Sequence, residues 1–315
     1  MSKAGPRRCA ILLMGPTGSG KSDLAIRLSE RLPLEIVSVD SAMVYRGMDI
    51  GTAKPDAATR ARIRHHLIDI RSPAQSYSAG EFTRDALMAV QDIWSRGRVP
   101  LLVGGTMLYF HALTSGMAKL PQADSALRAA IDADARRLGW QEMHRRLAQV
   151  DAAAAARIHA NDPQRIQRAL EVYELTGQSI TSLQQSRVSA FADANVIEFA
   201  IAPLERHELH TRIEHRFRAM LNAGLLEEVR QIRDSGTVTA EHPAMRAVGY
   251  RQLWRHLSGL CSLHEAQELA VVATRQLAKR QFTWLRRREH AQWFDSMHPE
   301  AASKIFDALS KCDCA

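Results

Sequence analysis

Eight residues near the amino terminus, GPTGSGKS, have the types and spacing of a phosphate-binding loop. In the pattern G-x-x-x-x-G-K-[ST] the glycines let backbone amides approach phosphate oxygens, the lysine adds a positive charge, and the last hydroxyl can hold a magnesium ion. The stretch lies between an apolar run and a helical pattern, which disfavours the alternative of a glycine-rich turn without a ligand. The predicted phosphate ligands are Gly15, Pro16, Thr17, Gly18, Ser19, Gly20, Lys21 and Ser22, and Ser22 is the predicted metal ligand.

Polar residues at the ends of later apolar runs are further candidates. An ATPase or kinase with this loop usually places an acidic residue at the end of a second strand to help hold the metal. Here the run VPLLV is followed by Gly104, Gly105 and Thr106, and the nearest strand-end carboxylate is Asp40, which closes LEIVSVD. A strand-end Asp is also a common turn former, and a lone Thr is a common helix N-cap, so the pattern leaves both roles open.

These residues need a scaffold that brings strand ends together. Helical periodicity alternates with short apolar runs, a pattern typical of a parallel sheet with helices on both faces. Between the third and fourth runs, Ser78 and Glu81 form a capping box that starts a helix ending near Gly97. The apolar runs predict buried strands at 9–14, 34–39, 66–70, 99–103 and 195–203.

The composition changes after about Gly116, where alanine and arginine become frequent and no strand-like run occurs. We predict a helical insertion domain at 119–190. Its last helix has Asp162 as N-cap, Pro163 at the first helical position and Gly177 at its end. The predicted fold class is α/β, a P-loop NTPase-like parallel sheet flanked by helices, with the core formed by 1–118 and 191–315.

Two basic helices are predicted after the insertion. The first runs from about Leu204 to Ala223 and carries Arg212 and Arg216, which share a face at i, i+4 spacing. These arginines can face a phosphate or, alternatively, solvent, with Glu208 or Glu214 as partners. The remaining chain is also predicted to be helical, including a helix capped by Ser262 and Glu265.

The second basic helix has six basic residues and no acidic one between Arg275 and Arg288. At about 100° per residue, Arg275, Lys279 and Arg286 line one stripe, Arg280 and Arg287 an adjacent one. Leu277 and Trp284 fall on the opposite side and are predicted to pack inward. The basic face suits nucleic-acid phosphates, and an ordinary solvated face is the alternative.

Bulk properties narrow the class of protein. A net charge of +8 over 315 residues favours a polyanionic partner, although a basic surface without one is equally compatible. Cys9, Cys261, Cys312 and Cys314 lack the spacing of a disulfide framework or a zinc site, so we expect reduced cysteines and a cytoplasmic protein. The first apolar run is broken at Gly15, too early for a signal peptide or a membrane span.

Seven stretches, in the same order and spacing, resemble the bacterial-type tRNA dimethylallyltransferases, also called tRNA isopentenyltransferases. The similarity extends from about residue 9 to 295 and is far more specific than the phosphate loop alone. The stretches are GPTGSGKS (15–22), VDSAMVYRGMDIGTAKP (39–55), HHLID (65–69), VGGTMLYFHAL (103–113), NDPQRIQRALEVYELTG (161–177), VGYRQLW (248–254) and TRQLAKRQFTWLR (274–286).

The resemblance implies transfer of a dimethylallyl group from dimethylallyl diphosphate to the N6 amine of the adenosine just 3′ of the anticodon, in tRNAs that read codons beginning with U. The phosphate loop would then hold a leaving diphosphate, stabilised by Lys21, by Mg²⁺ on Ser22, and by Arg212 and Arg216. Asp40 matches the general base of the family. Thr106 would orient the adenine or Asp40.

The resemblance also implies a surface that grips the tRNA anticodon stem-loop while the adenosine is flipped out. We expect a monomer with no membrane contact. Met43 and Gly18 depart from the usual family residues, which affects recognition rather than chemistry. The predicted tRNA contacts are Asp40, Ser41, Ala42, Met43, Thr106, Arg128, Gln164, Arg165, Ile166, Gln167, Arg168, Arg246, Gly249, Tyr250, Arg251, Lys279, Arg280, Gln281, Trp284 and Arg286.

Three other functions compete with this one. A small-molecule P-loop kinase shares the fold but needs neither the basic helix nor Gly-Gly-Thr in place of a metal-binding Asp. An adenylate isopentenyltransferase acts on free nucleotide and should lack the basic RNA-gripping stretches. An RNA-binding ATPase would hydrolyse ATP without prenyl transfer.

Overall fold

A six-stranded sheet is the centre of the fold. The computed structural model describes residues 8–116, 118, 120–184 and 189–310. The strands among them are β1 (Cys9–Met14), β2 (Leu34–Val39), β3 (His65–His66), β4 (Val99–Gly104), β5 (Asn195–Ala202) and β6 (Gln292–Asp295). They lie in the order β3-β2-β4-β1-β5-β6, and every neighbouring pair is parallel. The predicted α/β fold with a parallel sheet is confirmed.

Helices connect and cover the strands. They are α1 (Lys21–Ser29), α2 (Ala57–Arg62), α3 (Ala79–Ser95), α4 (Met107–Ser115), α5 (Ser125–Leu138), α6 (Trp140–Val150), α7 (Ala152–Arg157), α8 (Pro163–Thr176), α9 (Ile180–Leu183), α10 (Arg206–Asn222), α11 (Leu225–Asp234), α12 (Tyr250–Leu257), α13 (Leu263–Leu285) and α14 (Ala301–Ser310). A short 3-10 turn at Pro243–Arg246 precedes α12.

The central strands are apolar because both faces of the sheet are covered. Ile11 and Leu13 of β1 join a buried cluster that includes Leu24 of α1 and Ile305 of α14. Side chains alternate along a strand, so Leu12 points to the other face, where it is also fully buried. This arrangement explains why the strand signal is a continuous apolar run rather than an alternation.

Two strand predictions need correction. The run 66–70 was predicted as one strand, but β3 has only two residues because Leu67 and Asp69 take φ values of 63° and 59°, which cannot continue a strand. The strand β6 was missed. Its four residues lie at the sheet edge and include an exposed Gln292 and Trp293, so they carry no apolar run.

Helix ends follow their local signals closely. Ser78 caps α3 in a complete capping box with Glu81, as predicted. Asp162 caps α8 by accepting a hydrogen bond from the backbone N–H of Arg165, with Pro163 at the first position. Side-chain caps of this kind satisfy amides that have no partner within the helix, which is why they can be recognised without tertiary contacts.

The chain divides into two compact units. The sheet unit contains the described residues up to Ala112 and those from Phe191 onward, and the helical unit spans Leu113–Ala190, where 119–190 was predicted. The helical unit contains α5 to α9 around its own buried cluster, to which Ile131, Leu147 and Ile166 contribute. No strand occurs among the residues described in it.

Two bulk expectations can be compared with the structure. Cys261 is a free cysteine, as expected. Cys312 and Cys314 lie outside the described residues. No helix in the described part of the chain is long and apolar enough to cross a membrane.

Candidate functional site

A cavity of about 610 Å³ opens in the sheet unit at the carboxyl ends of the central strands. This edge is where parallel α/β sheets usually bind ligands. The phosphate loop after β1 contributes Thr17, Lys21 and Ser22, while Asp40 and Thr106 follow β2 and β4. The register places these strand ends side by side, so three of the predicted phosphate ligands and the predicted general base line one cavity.

Local backbone geometry shapes the phosphate loop. Gly18 and Gly20 have φ values of 82° and 83°, a region that glycine enters without steric cost. Gly20 is the N-cap of α1, so Lys21 and Ser22 form the first turn of that helix. Backbone amides at a helix start carry partial positive charge, and this loop is therefore suited to an anion.

Lys21 supplies a positive charge to the cavity. Its Nζ donates a hydrogen bond to the Pro16 carbonyl at 3.2 Å, which folds the side chain back over the loop. The pKa of this amine is lowered to about 8, mainly by burial and also by the Arg216 charge, while the Asp40 charge opposes the shift. A bound anion would favour the protonated form, because an opposite charge nearby raises the pKa of a lysine.

Two arginines of α10 approach the phosphate loop, as predicted. A Cβ placed on Gly20 would lie 3.2 Å from Nη2 of Arg212, so that guanidinium lies against the loop. Arg216 lines the cavity, and burial lowers its pKa from the usual arginine value. The alternative of pairing with Glu214 is wrong, since Glu214 instead forms ion pairs with Arg218 and Arg275.

Asp40 also lines the cavity, as the first residue of a turn. Its Oδ1 accepts hydrogen bonds from the backbone N–H groups of Ala42 at 2.8 Å and Met43 at 3.2 Å. Both of these hydrogen bonds go to the same carboxylate oxygen, Oδ1. The turn-forming role therefore does not exclude chemistry, because it fixes the carboxylate while Oδ2 makes neither bond.

Thr106 supports the same turn. Its Oγ1 accepts a hydrogen bond from the backbone N–H of Ser41 at 3.1 Å and donates to Ser41 Oγ at 3.4 Å. Thr106 was predicted to bond Asp40 or adenine; in the structure it bonds the residue that follows Asp40. It also immediately precedes α4, and its carbonyl accepts a hydrogen bond from the N–H of Tyr109.

Comparisons with known proteins decide the family. The family model described as IPP transferase matches residues 43–288. The chain belongs to the IPP transferase family. It is 54% identical to a tRNA dimethylallyltransferase of Nitrosococcus oceani over 306 residues, which cover 97% of this chain and 96% of that protein.

Solved structures of the IPP transferase family agree with this assignment. A tRNA isopentenylpyrophosphate transferase from Bacillus halodurans is 34% identical, with a TM-score of 0.70 and 96% of each chain covered. One from Staphylococcus epidermidis is 32% identical, with a TM-score of 0.68 and coverage of 96% and 98%. A eukaryotic dimethylallyltransferase acting on tRNA has a TM-score of 0.82, and at 24% identity it supports the fold alone, over 96% of this chain and 78% of the other.

Several residues that this IPP transferase was predicted to use for tRNA lie at the cavity. Arg246, Arg280 and Trp284 line it. Trp284 is 37% exposed, so the prediction that it packs inward is wrong. The inward stripe of α13 instead contains Ala278, Gln281 and Leu285, since Trp284 lies at the cavity with its ring near His111. Lys279, Arg286 and Arg251 are exposed.

Tyr250 and Gly249, two of the predicted tRNA contacts, have little solvent-exposed surface. Both are buried, and the Tyr250 hydroxyl donates a hydrogen bond to Glu228 at 2.5 Å. The ring lies against Gly51, where a Cβ would come within 2.5 Å of it. Tyr250 also lines the cavity, and its predicted contact with tRNA stays a prediction.

The predicted tRNA residues of the helical unit are mostly engaged within it. Ile166 is fully buried, which corrects its assignment as an RNA contact. Arg128 and Arg168 both pair with the buried Glu171, at 2.8 Å and 2.6 Å. Gln167 donates to Asp132, while Gln164 and Arg165 are exposed. Their contact with tRNA stays a prediction.

Two groups that organise the site were missed at the sequence level. Glu228 of α11 accepts hydrogen bonds from three consecutive backbone N–H groups, those of Asp49, Ile50 and Gly51. Gln281, predicted to touch tRNA, is buried and bonds two loops of the cavity through its side-chain amide. No local sequence pattern indicates either role, because the hydrogen-bond partners are far away in sequence.

Proposed function

We propose that this IPP transferase family member moves the dimethylallyl group of dimethylallyl diphosphate onto the N6 amine of adenosine 37 of tRNA, in tRNAs that read codons beginning with U. The observation that carries the proposal is one cavity lined by Thr17, Lys21 and Ser22 of the phosphate loop together with Asp40 and Thr106. The names of the relatives add tRNA as the acceptor.

The donor's diphosphate occupies the phosphate loop and acts as the leaving group. The bond between C1 of the dimethylallyl group and the diphosphate oxygen breaks, and its electron pair stays on that oxygen. The amides at the start of α1, the Lys21 ammonium and the two α10 arginines face the charge that develops there. No phosphoryl group moves, so the site needs no second strand-end carboxylate of the kind that ATPases use.

The acceptor amine is a weak nucleophile because its lone pair is delocalised into the adenine ring. It must lose a proton as the bond from N6 to C1 forms, and the Asp40 carboxylate takes that proton. The hydrogen bonds from Ala42 and Met43 to Oδ1 hold the carboxylate in place. Thr106 fixes the same turn through Ser41.

A magnesium ion fits the residues present. Mg²⁺ usually takes one or two protein oxygens and completes its shell with phosphate oxygens and water. Ser22 lies beside Lys21 in the cavity wall, and among the described residues no cluster of three or more His, Cys, Asp or Glu offers a competing site. Ser22 would hold the ion, which when bound would add positive charge against the diphosphate.

The acceptor base must leave its stack to reach this cavity, at a cost of a few kcal/mol. Exposed basic residues of α13, among them Lys279, Arg280 and Arg286, are suited to phosphate contacts that offset this cost. In the proposal, the protein acts on tRNA as a monomer in the cytoplasm.

Label transfer tests the proposal. The protein is incubated with Mg²⁺, dimethylallyl diphosphate labelled in its prenyl carbons, and anticodon stem-loops that carry adenosine or guanosine at position 37. The label is expected in the adenosine RNA and absent from the guanosine RNA. Label on free AMP would indicate an adenylate isopentenyltransferase, phosphorylation of a small molecule a kinase, and ATP hydrolysis without label transfer an RNA-binding ATPase.

A further inference from the structure

Gln281 lies on the inner side of α13, 8% exposed, between two loops of the cavity. Its Oε1 accepts a hydrogen bond from the backbone N–H of Thr17 at 2.9 Å. Its Nε2 donates to the backbone carbonyl of Gly105 at 2.8 Å. We propose that Gln281 is a positioning residue that holds the phosphate loop and the Gly105–Thr106 loop at the separation that prenyl transfer requires.

The approach of Gln281 to Gly105 is tight. A Cβ on Gly105 would lie 2.4 Å from Nε2 of Gln281 and 3.2 Å from the Gly15 carbonyl, so only glycine admits the amide here. The two loops also meet where the N–H of Gly15 donates to the Gly104 carbonyl at 3.3 Å. Gln281 adds a second connection between the two loops, and the two connections together form a clamp.

The connection continues from Gly105 to the general base. Thr106 follows Gly105 and bonds the backbone N–H of Ser41, which is the residue after Asp40. A path of hydrogen bonds and peptide links therefore runs from the donor loop at Thr17, through Gln281, to Asp40. A displacement along this path changes the distance between the donor carbon and the acceptor amine, and about 1 Å of misplacement costs roughly 100-fold in rate.

The carboxamide of Gln281 makes both contacts from one planar group, with its oxygen as acceptor and its nitrogen as donor. A glutamate of the same shape still accepts from Thr17 but cannot donate to the Gly105 carbonyl, which it repels. A methionine keeps most of the volume and does neither. The two substitutions therefore separate loss of the donated bond from loss of both bonds.

The inference rests on the proposed function, and its test compares three variants: Gln281→Glu, Gln281→Met and Gln276→Glu. Gln276 is exposed on the same helix, so its variant controls for the added negative charge. The measurements are kcat, the KM for each substrate, and the thermal midpoint. We expect kcat per folded protein to fall roughly 100-fold in both Gln281 variants, with the KM for RNA within about twofold and the Gln276 variant unchanged.

Several outcomes would overturn the inference. Wild-type kcat in both Gln281 variants would do so, as would a raised KM for RNA with normal kcat, which is the behaviour of an RNA contact. A loss of kcat fully explained by a smaller folded fraction would reduce Gln281 to a structural role. If the wild type transfers no prenyl group, the proposed function fails, and calorimetry with inorganic diphosphate then tests Gln281 alone: weaker binding to both Gln281 variants supports the clamp, and equal binding contradicts it.

Discussion

The phosphate loop and the 40–71 loop line the same cavity, but they are held in shape by different means. The 40–71 loop is the long connection after β2, and it includes the short elements α2 and β3. The phosphate loop places glycines, Gly18 and Gly20, where φ is positive. The second loop puts non-glycine residues there, since Ala53, Leu67 and Asp69 have φ values of 52°, 63° and 59°. Each such residue costs of order 1 kcal/mol, which other contacts must offset.

Those contacts come from charged side chains. The Lys54 ammonium, almost completely buried, pairs with Asp49 at 2.5 Å and Asp69 at 2.6 Å. Glu228, 179 positions beyond Asp49, binds the three amides of residues 49–51. The phosphate loop thus keeps its shape through local backbone preferences, whereas the 40–71 loop depends on its own ion pairs and on Glu228 of α11.

The largest effect is expected at Asp40, where the 40–71 loop meets the chemistry. Asp40→Ala removes the general base and should lower kcat by about 100- to 10,000-fold with donor and RNA affinities retained. Asp40→Asn keeps an oxygen for the N–H groups of Ala42 and Met43, so it separates loss of the base from loss of the turn. Single-turnover rates check this, and unchanged rates would remove Asp40 from its role.

A comparable loss is expected at the phosphate loop. Lys21→Met removes charge facing the leaving group and should lower kcat/KM for the donor by about 100- to 1,000-fold. The free protein loses the Lys21 proton as the pH rises through about 8, because burial lowers its pKa. Donor affinity should therefore fall above that pH, by about tenfold per pH unit.

Lys21→Arg is the control for this pH dependence, since a guanidinium keeps its proton throughout the range. Calorimetric titration with dimethylallyl diphosphate between pH 7 and pH 9.5 measures both proteins. A flat profile for the wild type would contradict the assignment of Lys21 as the titrating group.

Glu228 tests how far the 40–71 loop depends on its distant partner. Glu228→Gln replaces a charged acceptor of three amides and the Tyr250 hydroxyl by a neutral one, and should lower the free energy of unfolding by about 1–3 kcal/mol. Glu227→Gln is the matched control, because Glu227 is exposed. Urea denaturation measures both, and equal midpoints would show that the loop holds without Glu228.

The smallest effect is expected outside the cavity loops. Arg280→Ala combined with Arg287→Ala should weaken tRNA binding and reduce the slope of log Kd against log salt by about 1 to 2. Fluorescence anisotropy at several salt concentrations measures this slope. An unaltered slope would indicate that the basic face of α13 is an ordinary solvated surface without phosphate contacts.

Sequence reasoning succeeded where the signal is local. Continuous apolar runs gave the buried strands β1, β2 and β4, and capping residues gave the ends of α3 and α8. The phosphate loop is also a local signal, because its glycines and the start of α1 lie within eight consecutive residues. The parallel sheet then follows, since strand ends in such a sheet meet at one edge.

The failures share a physical cause, which is a contact made far away in sequence. The inward stripe of α13 was placed at Leu277 and Trp284, but a polar Gln281 takes the buried position because two backbone groups satisfy its amide. Ile166 and Tyr250 looked like members of RNA-binding stretches and are buried. The shortened β3 is a different case: it ends where Leu67 and Asp69 take positive φ, and Asp69 pairs with Lys54, 15 positions earlier.

Phosphorus NMR of a complete reaction tests the central claim most directly, namely that the phosphate loop holds a leaving diphosphate and that the chemistry occurs on carbon. The protein, Mg²⁺, dimethylallyl diphosphate and an adenosine-37 stem-loop are combined, with ATP present as a competitor. The account predicts one inorganic diphosphate released per RNA that gains a dimethylallyl group, with ATP unchanged. Orthophosphate formed from ATP, without diphosphate release or modified RNA, would contradict it.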